Sequence, residues 1–450
     1  MADASSHVIS PRSQRLVLER RLWIAAYVFA WLMPIAILAF APRPVDDRVQ
    51  LFALAIGFIA FAGMALQVAV ASRSPHFTAP MGIDLLLRVH RSMGSVIMVL
   101  VVLHVAVLYV REDWARAWLW PPPVHGPIVA QLGFLALVSL LVLVATSLRR
   151  PRWMSYERWR AVHLICTVAA IGGAYGHILK ASTYSTLPIV RVYAFLLVLV
   201  AGTMLVYLRI GRVFIAQGRP YHLVGIEREH GNVTTVHLEA DGHDGIPLAP
   251  GQFAWLRLGG HPYSINEHPF SLSSSAVDPR HPSFSIKASG DYTSTIGALP
   301  VGSRVLVDGP HGAWEPALPD RGFLLIVGGI GVTPAMSIIR TLADMGDSRP
   351  IDLIYGARTW NDVTFRDELA ELAERISLRI TYVLSEPDAG WAGNAGYITH
   401  ELLAHTLPED AAVRNVMVCG PPMMMKSVTE ALRSLAIPDA HVRVERFEGV

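Results

Sequence analysis

The chain has 450 residues, of which 52% are hydrophobic and only 16% are charged. A soluble protein carries about a quarter charged residues, so this composition excludes a wholly soluble protein. The formal net charge of +2 gives no reason to expect a nucleic-acid partner. The two cysteines, Cys166 and Cys419, are too distant and too few for a disulfide framework, a zinc site or an iron–sulfur cluster.

The apolar residues are concentrated in the first half of the chain. Long apolar runs extend to about residue 210, and from about residue 217 the composition becomes that of a globular protein, with Gly/Pro turns and charged helices. We therefore predict a membrane half followed by a soluble half long enough for two domains. The predicted boundaries are 1–21 for an N-terminal segment, 22–212 for the membrane domain, and 217–316 and 321–450 for the soluble domains.

Six apolar runs are each about twenty residues long, which is the length that crosses a hydrocarbon core. They lie near 22–41, 51–71, 88–110, 128–148, 162–180 and 189–209. The first run follows four arginines, as in a signal peptide, but it is too long for a cleaved one. The loops on one side carry about twice as many basic residues as those on the other. This bias predicts that the N-terminus and the soluble half are cytoplasmic.

Four histidines lie at matched positions within spans three and five. His90 and His104 are 14 residues apart, and so are His163 and His177. In a helix this spacing places both rings of a span on nearly one face, about 21 Å apart along the axis. The two spans run in the same direction. We therefore expect His90 to face His163 near the inner surface and His104 to face His177 near the outer surface.

Ionisable groups within a membrane are costly and usually functional. An imidazole pair across a helix bundle can supply the two axial ligands of a b-type haem, so two pairs predict two stacked haems. A proton relay is the competing use, but it predicts carboxylates beside the rings, and the nearby acidic residues lie in loops. Zinc is less favoured because each pair offers only two ligands. Four glycines would make room for a flat macrocycle or serve helix packing: Gly94, Gly172, Gly173 and Gly176.

The soluble half contains two successive patterns. From residue 221 to about 306, short alternating runs separated by Gly and Pro predict a small antiparallel β-barrel, which includes "HPFSLSS" (268–274) and "IKASGDYTSTI" (286–296). Then "FLLIVGGIGVTPAMSIIRTL" reads as a strand, a glycine turn and a helix, an order that lets backbone amides approach a dinucleotide. Its spacing is not that of the G-x-G-x-x-G fingerprint. Further strands alternate with helices, which predicts an α/β domain with a parallel sheet.

These motifs occur in a recognisable order. The soluble half resembles the ferredoxin–NADP reductase family of flavin and nicotinamide modules. From about residue 20 onward the whole chain resembles the ferric reductase and NADPH oxidase superfamily, in a prokaryotic oxidase-like form. The motifs that carry the resemblance are the two histidine pairs, "HPFSLSS", "GDYT", "VDGPHG", "GGIGVTP" and "CGPP". The resemblance implies FAD in the barrel, NAD(P)H in the α/β domain and two b-type haems in the six-helix transmembrane bundle.

The resemblance also implies roles for individual residues. The residues expected to line the flavin are His268, Pro269, Phe270 and Ser271, with the Ser271 hydroxyl near the reactive nitrogen of the flavin. Those expected around the FAD pyrophosphate are Lys287, Gly290 and Thr293. Those expected beneath the nicotinamide and its phosphates are Gly329, Gly331, Val332, Thr333 and Pro334. Those expected close to the hydride path are Cys419, Gly420 and Pro421.

Two further residues complete the predicted soluble sites. Arg358 follows the strand "DLIYGAR" and is expected to bind the adenosine ribose or its 2′-phosphate, because a guanidinium suits that group. Phe447 is expected to cover the flavin ring where the nicotinamide must enter. Ordinary turn, packing or surface roles remain open for all of these residues. The sequence does not distinguish NADH from NADPH.

The implied activity is electron transfer from cytoplasmic NAD(P)H, through FAD and two haems, to an acceptor on the outer face. Oxygen, giving superoxide, is the expected acceptor, and a ferric chelate is the alternative. Animal oxidases of this superfamily carry a second histidine one turn beyond the outer ligand, where this chain has Leu108. The outer loop 111–127 is rich in Trp and Pro and contains His125, and it could cap the outer haem or bind a metal chelate.

Two other uses of such a chain stay open. One is a haem-bearing module that docks a partner protein or senses redox state, and the other is electron delivery to quinone within the lipid bilayer. The chain contains no EF-hand loop, so we expect activity without an obligatory regulatory subunit. The expected location is the inner (plasma) membrane of a bacterium.

Overall fold

The structure is a computed structural model that describes residues 11–42, 47–119, 126–181, 184–259, 263, 266–312 and 321–445. The chain forms two compact units, Met1–Arg212 and Val213–Val450. The first unit is helical, and the second contains two β-sheets with their helices.

Within the described residues, six helices are long and apolar enough to cross a membrane. In chain order the helices of this part are α1 (Pro11–Phe40), α2 (Arg48–Val70), α3 (Pro75–Met81), α4 (Ile83–Arg111), α5 (Asp113–Leu119), α6 (Ile128–Leu148), α7 (Tyr156–Lys180), α8 (Pro188–Val206) and α9 (Arg212–Gln217). A π-helical turn, Tyr207–Gly211, links α8 to α9. The six predicted spans are confirmed.

Several helices extend beyond the predicted apolar runs. Helix α1 begins before residue 22 and α4 begins before residue 88. A hydropathy run marks where hydrocarbon ends, whereas charged residues continue the helix into water. Apolar side chains cover the outside of the bundle: Phe29, Val99 and Ile165 are 66%, 65% and 66% exposed. Such a surface suits a lipid environment.

Two helix pairs pack most closely in the bundle, α2 with α4 and α6 with α7. Helices α1, α2, α7 and α8 share an apolar core that includes Phe61, Ile171 and Leu197. The histidine-bearing helices α4 and α7 therefore each lie against a helix that carries none of the four histidines.

The first sheet of the second unit is the predicted antiparallel one. Its strands are β1 (Tyr221–Glu229), β2 (Val233–Ala240), β3 (Phe253–Leu258), β4 (His268–Ser271), β5 (Ser283–Lys287) and β6 (Arg304–His311), with the short helix α10 (Asp291–Thr295) between β5 and β6. The strand order is β4-β3-β6-β1-β2-β5. A bridge between Leu272 and Phe284 joins the two ends of this order. The sheet therefore curls around buried residues such as Leu256, with this single bridge, among the described residues, between its two edge strands.

The second sheet is parallel, as predicted. Its strands are β7 (Phe323–Gly328), β8 (Ile351–Ala357), β9 (Leu378–Leu384), β10 (Asn394–Ala395), β11 (Asn415–Cys419) and β12 (Val442–Glu445). The associated helices are α11 (Val332–Asp344), α12 (Arg366–Arg375), α13 (His400–Thr406) and α14 (Pro422–Ser434). One apolar cluster packs α11 and α12 on one face, and a second packs α13 and α14 on the other.

The order of the parallel sheet determines where a ligand can bind. The order is β10-β9-β8-β7-β11-β12, so the chain builds outward from β7 and then returns to its other side. In open α/β sheets, ligands bind outside the carboxyl ends of the strands at such a switch point. The carboxyl end of β7 is Gly328, at the start of the glycine turn.

Candidate functional site

The inner histidine pair is brought together as predicted by the spacing. The ring centroids of His90 on α4 and His163 on α7 are 6.1 Å apart. Two imidazole nitrogens that each lie about 2 Å from one metal ion place their ring centroids about 6 Å apart. The separation of these two rings therefore fits one metal ion between them. The indole ring of Trp159 lies 5.2 Å from the ring of His163.

The outer pair, His104 on α4 and His177 on α7, lines one apolar cavity. Its empty space is about 1120 Å³, counting the open mouth. The Nδ1 atom of His104 lies 2.7 Å from the carbonyl oxygen of Ala53, and that of His177 lies 2.8 Å from the carbonyl oxygen of Val129. A carbonyl only accepts, so each Nδ1 carries the proton and each Nε2 keeps a lone pair for a metal. The residues present fit a haem held by both rings.

Two glycines that sequence reasoning missed support the outer rings. A Cβ atom on Gly57 of α2 would lie 2.7 Å from His104 Nδ1, and one on Gly133 of α6 would lie 2.8 Å from His177 Nδ1. Both are too short for a real contact, so these positions need glycine for the rings to approach. Helices α2 and α6 carry no predicted ligand, so no motif in the sequence points to these two glycines.

The glycines that the sequence did single out have other surroundings. A Cβ on Gly173 or Gly176 would meet Leu132 of α6, so both serve helix packing, the second of the two uses considered for them. Gly94 and Gly172 have nothing within 4 Å of an added Cβ. Their open sides leave room but identify no ligand.

Three other features of the membrane unit concern the zinc alternative, the position of Leu108 and the outer loop. Within the described ranges, no group of three or more His, Cys, Asp or Glu residues is placed to hold a metal ion. Leu108 lines the outer cavity, together with Trp114 and Ala115 near the outer loop. His125 lies outside the described residues.

The predicted flavin strand is β4. Ser271, at its end, is 6% exposed, and its Oγ has no hydrogen-bond partner among the described residues. A buried hydroxyl without a partner is costly, and such groups normally bind something. Pro269 and Phe270 are half-buried, and the His268 ring stacks on Tyr292 with centroids 4.2 Å apart. The orphaned hydroxyl fits a polar atom of FAD at this place.

The segment expected around the FAD pyrophosphate uses some of its backbone N–H groups in hydrogen bonds within the segment itself. The Thr293 hydroxyl oxygen accepts the backbone N–H groups of Ser289, at 2.9 Å, and Gly290, at 3.0 Å. These two amides are therefore engaged within the loop. Lys287 instead lines a large cavity with residues of the parallel sheet, so its ammonium group is the one available for an anionic ligand.

That cavity lies at the switch point, at the carboxyl ends of β7, β8 and β9. Its empty space is about 2290 Å³, counting the open mouth. Of the predicted nucleotide residues, it is lined by Gly329, Arg358 and Pro421. Gly329 has φ +53° with open space around it, which is the conformation that favours glycine.

The remaining residues of the two nucleotide motifs lie behind this cavity. Val332, Thr333 and Cys419 are buried, and Thr333 Oγ1 donates to the Ile330 carbonyl at 2.9 Å. A Cβ on Gly331 would collide with the Cys419 carbonyl. The glycine turn and the "CGPP" turn therefore pack backbone against backbone and hold the floor of the cavity in place.

The other two predicted residues of the glycine turn and the "CGPP" turn are Pro334 and Gly420. Pro334 is a buried residue in the first turn of α11. Gly420 is half-buried, and a Cβ on it would lie 3.0 Å from the Gly328 nitrogen. Phe447 lies outside the described residues, so its role stays a prediction.

Two carboxylates lie near Arg358, the arginine that lines this cavity. Arg358 is 68% exposed, and its Nε lies 3.8 Å from an Asp362 carboxylate oxygen and 3.7 Å from a Glu386 carboxylate oxygen. An acidic group at this place suits a ribose 2′-hydroxyl, whereas a 2′-phosphate calls for a free arginine. Sequence reasoning missed Glu386 because it follows a different strand from Arg358, and it also missed Asp362, which lies four residues after Arg358.

Comparisons with known proteins agree with this division of the chain. Residues 56–174 match the family described as "Ferric reductase like transmembrane component", and residues 325–430 match "Oxidoreductase NAD-binding domain". NADH-cytochrome b5 reductase 1 of Mycosarcoma maydis is 38% identical over 151 residues, which cover 32% of this chain and 46% of that protein. Its counterpart in Candida glabrata is 29% identical over 202 residues, which cover 44% and 70%.

Solved structures similar to this chain include two flavin proteins. The FAD/NAD binding domain of nitric oxide dioxygenase from Vibrio cholerae is 22% identical with a TM-score of 0.46, covering 51% of this chain and 98% of that one. Flavohemoglobin from Malassezia yamatoensis is 19% identical with a TM-score of 0.49, covering 80% and 97%.

The chain spans about half the length of the first curated relatives it matches. Part of the membrane unit is matched by the transmembrane family. The chain thus joins a ferric-reductase-like transmembrane component to an oxidoreductase NAD-binding domain, a combination that matches the ferric reductase and NADPH oxidase superfamily.

Proposed function

We propose that the protein carries electrons across a membrane, from NAD(P)H through FAD and two b-type haems to an acceptor on the opposite face. The observation that carries this proposal is the arrangement of the four histidines. Two parallel helices hold them as two pairs, and the rings of the inner pair are 6.1 Å apart. The outer pair lines an apolar cavity and turns both Nδ1 atoms away towards backbone carbonyls.

Each part of the chain has a defined task in this proposal. When bound, FAD supplies the change from hydride transfer to single-electron transfer, and haem carries single electrons. His90 and His163 hold one haem, and His104 and His177 hold the other. The apolar walls of the outer cavity exclude water from its iron. The domains are 22–212 for haem, 217–316 for FAD and 321–450 for NAD(P).

The soluble half binds and orients the donor. The Ser271 hydroxyl donates a hydrogen bond to the flavin, which satisfies the partner it otherwise lacks. Gly329 lets the backbone approach the nucleotide, and Lys287 attracts its phosphates from the cavity wall. The "CGPP" turn, whose Cys419 is buried, sets the depth at which the nicotinamide stops. Phe447 stays predicted to cover the flavin ring where the nicotinamide must enter.

The membrane and the orientation follow from loop charge. Basic residues are in excess on the side that bears the soluble half, which supports a cytoplasmic FAD and NAD(P) module in a plasma membrane. Electrons then leave at the outer face, from the haem held by His104 and His177.

Oxygen is the proposed acceptor, with superoxide as the product. A ferric chelate is the second candidate, and Leu108 favours it. Its aliphatic side chain lines the outer cavity and gives no polar contact to an oxygen-derived anion. A chelate can instead take an electron at the rim of the cavity, beside Trp114.

The test uses purified, anaerobic protein loaded with FAD and haem. NADH or NADPH is added, the reduction of the haem absorption bands is recorded, and then oxygen or ferric citrate is admitted. Fast reoxidation by oxygen with superoxide formed identifies an oxidase, and fast reoxidation by ferric citrate alone identifies a metalloreductase. If the haem bands form but NAD(P)H does not reduce them, a redox-sensing module replaces this proposal.

A further inference from the structure

The histidine-bearing helices and their neighbours repeat one packing register. Helix α2 runs antiparallel to α4, with Ala53 opposite His104 and Gln67 opposite His90. Both intervals are 14 residues, in opposite chain directions. At the Gln67 position the carbonyl lies beside the ring, but His90 Nδ1 makes no hydrogen bond of standard geometry.

The same register recurs between α6 and α7. Val129 is opposite His177, and a step of 14 residues along α6 leads from Val129 to Leu143, opposite His163. Ordinary backbone geometry would thus offer the Leu143 carbonyl to His163. At this fourth position the structure departs from the pattern.

A side chain stands between the fourth ring and its carbonyl. Ser147 Oγ donates to the Leu143 carbonyl at 2.6 Å and lies 3.2 Å from His163 Nδ1. Since its own proton is directed at the carbonyl, the hydroxyl oxygen accepts the Nδ1–H of the ring. Ser147 follows Leu143 by one turn, as Gly133 follows Val129. The hydroxyl therefore takes the place that glycine leaves empty at the outer ring.

We propose that Ser147 is the positioning residue of His163. Its hydroxyl holds the proton on Nδ1, turns Nε2 towards His90 and makes the ring a stronger electron donor to the inner haem. This rests on the proposed function, in which His163 binds that haem. A ligand that donates its second N–H to an acceptor is more basic and favours the ferric state. The two outer rings make their hydrogen bonds to backbone carbonyls, whereas His163 makes this one to a side chain, so substitution can remove it.

The test compares two variants of nearly equal shape, Ser147→Thr and Ser147→Val. Threonine keeps the hydroxyl and valine lacks it. The control is Thr146→Val on the same turn, because the Thr146 hydroxyl donates to the Val142 carbonyl at 2.8 Å and reaches Leu143 at 3.2 Å without contacting the ring. The readouts are haem per chain, spectroelectrochemical titration of each haem and the low-spin haem EPR spectrum.

We expect Ser147→Val to shift the inner-haem potential upward, change one of the two EPR signals and leave the outer haem unchanged. Ser147→Thr and Thr146→Val should match the wild type. Loss of the inner haem in the valine variant with retention in the threonine variant supports the same role. If valine prevents folding, Ser147→Ala replaces it.

Two other outcomes are distinguishable. Equal potentials and spectra in the threonine and valine variants, with two haems in each, overturn the role of Ser147 and leave the electron path intact. A wild-type protein that binds no haem at His90 and His163 overturns the proposed function itself, whatever the variants do.

Discussion

Haem binding at the outer site should weaken when one hydrogen of Gly133 is replaced by a methyl group. A Cβ at this position would lie 2.8 Å from His177 Nδ1, whereas ordinary contact begins at 3.4 Å, so the ring must retreat by 0.6 Å (3.4 − 2.8). That movement strains the 2.8 Å hydrogen bond to the Val129 carbonyl. Overpacking costs about 1–3 kcal/mol, and about 1.4 kcal/mol is a factor of ten in affinity. Gly133→Ala should therefore weaken haem binding at the outer site roughly 5- to 150-fold.

The assay is haem content per chain, with a redox titration that separates the two haems. Gly202→Ala is the control, because an added Cβ there has nothing within 4 Å and the residue is exposed on α8, which carries none of the four histidines. We expect about one haem per chain in Gly133→Ala after dilution and two in Gly202→Ala. Two haems with unchanged potentials in Gly133→Ala would refute the reasoning from ring approach.

Three further changes test the soluble sites. Ser271→Ala removes an unpartnered buried hydroxyl, so FAD affinity should fall about five- to tenfold, for about 1 kcal/mol of hydrogen bond, while FAD-free protein keeps its melting temperature; flavin titration and thermal unfolding check both. Asp362→Asn with Glu386→Gln frees the guanidinium between them, so the NADPH/NADH ratio of kcat/KM should rise about fivefold, since an exposed charge pair contributes up to about 1 kcal/mol; an unchanged ratio contradicts this. Gly331→Ala pushes a methyl group onto the Cys419 carbonyl and should lower stability by about 1–3 kcal/mol, seen as flavin release at lower temperature.

The architecture was accessible from the sequence because each part depends on a local pattern. Span length follows from membrane thickness, and alternation and glycine turns mark the strands of the two sheets. The pairing of His90 with His163 follows from helix periodicity and from the parallel direction of spans three and five. Only the pairing of the histidines needs spans three and five to be neighbours, and the matched spacing of the four rings itself suggested that.

The residues that support the histidine rings could not be found without knowing which helices are neighbours and in which register they pack. Gly57 and Gly133 lie on helices without ligands, and their role depends on the antiparallel register between neighbouring helices, which apolar runs do not specify. A signal was nevertheless present: Gly133 and Ser147 are 14 residues apart, the same interval as the histidines. Glu386 was missed for a related reason, because strand order brings it beside Arg358 from another segment.

Electron transfer across the bilayer is the central claim, and sealed vesicles test it most directly. Protein is reconstituted with the soluble half outward and ferric cytochrome c trapped in the lumen, and NADH is added outside, where it stays. The account predicts that the trapped cytochrome c is reduced in wild-type vesicles and not in His104→Leu vesicles. Reduction only of an acceptor added outside, on the same side as NADH, would contradict a path through the two histidine pairs.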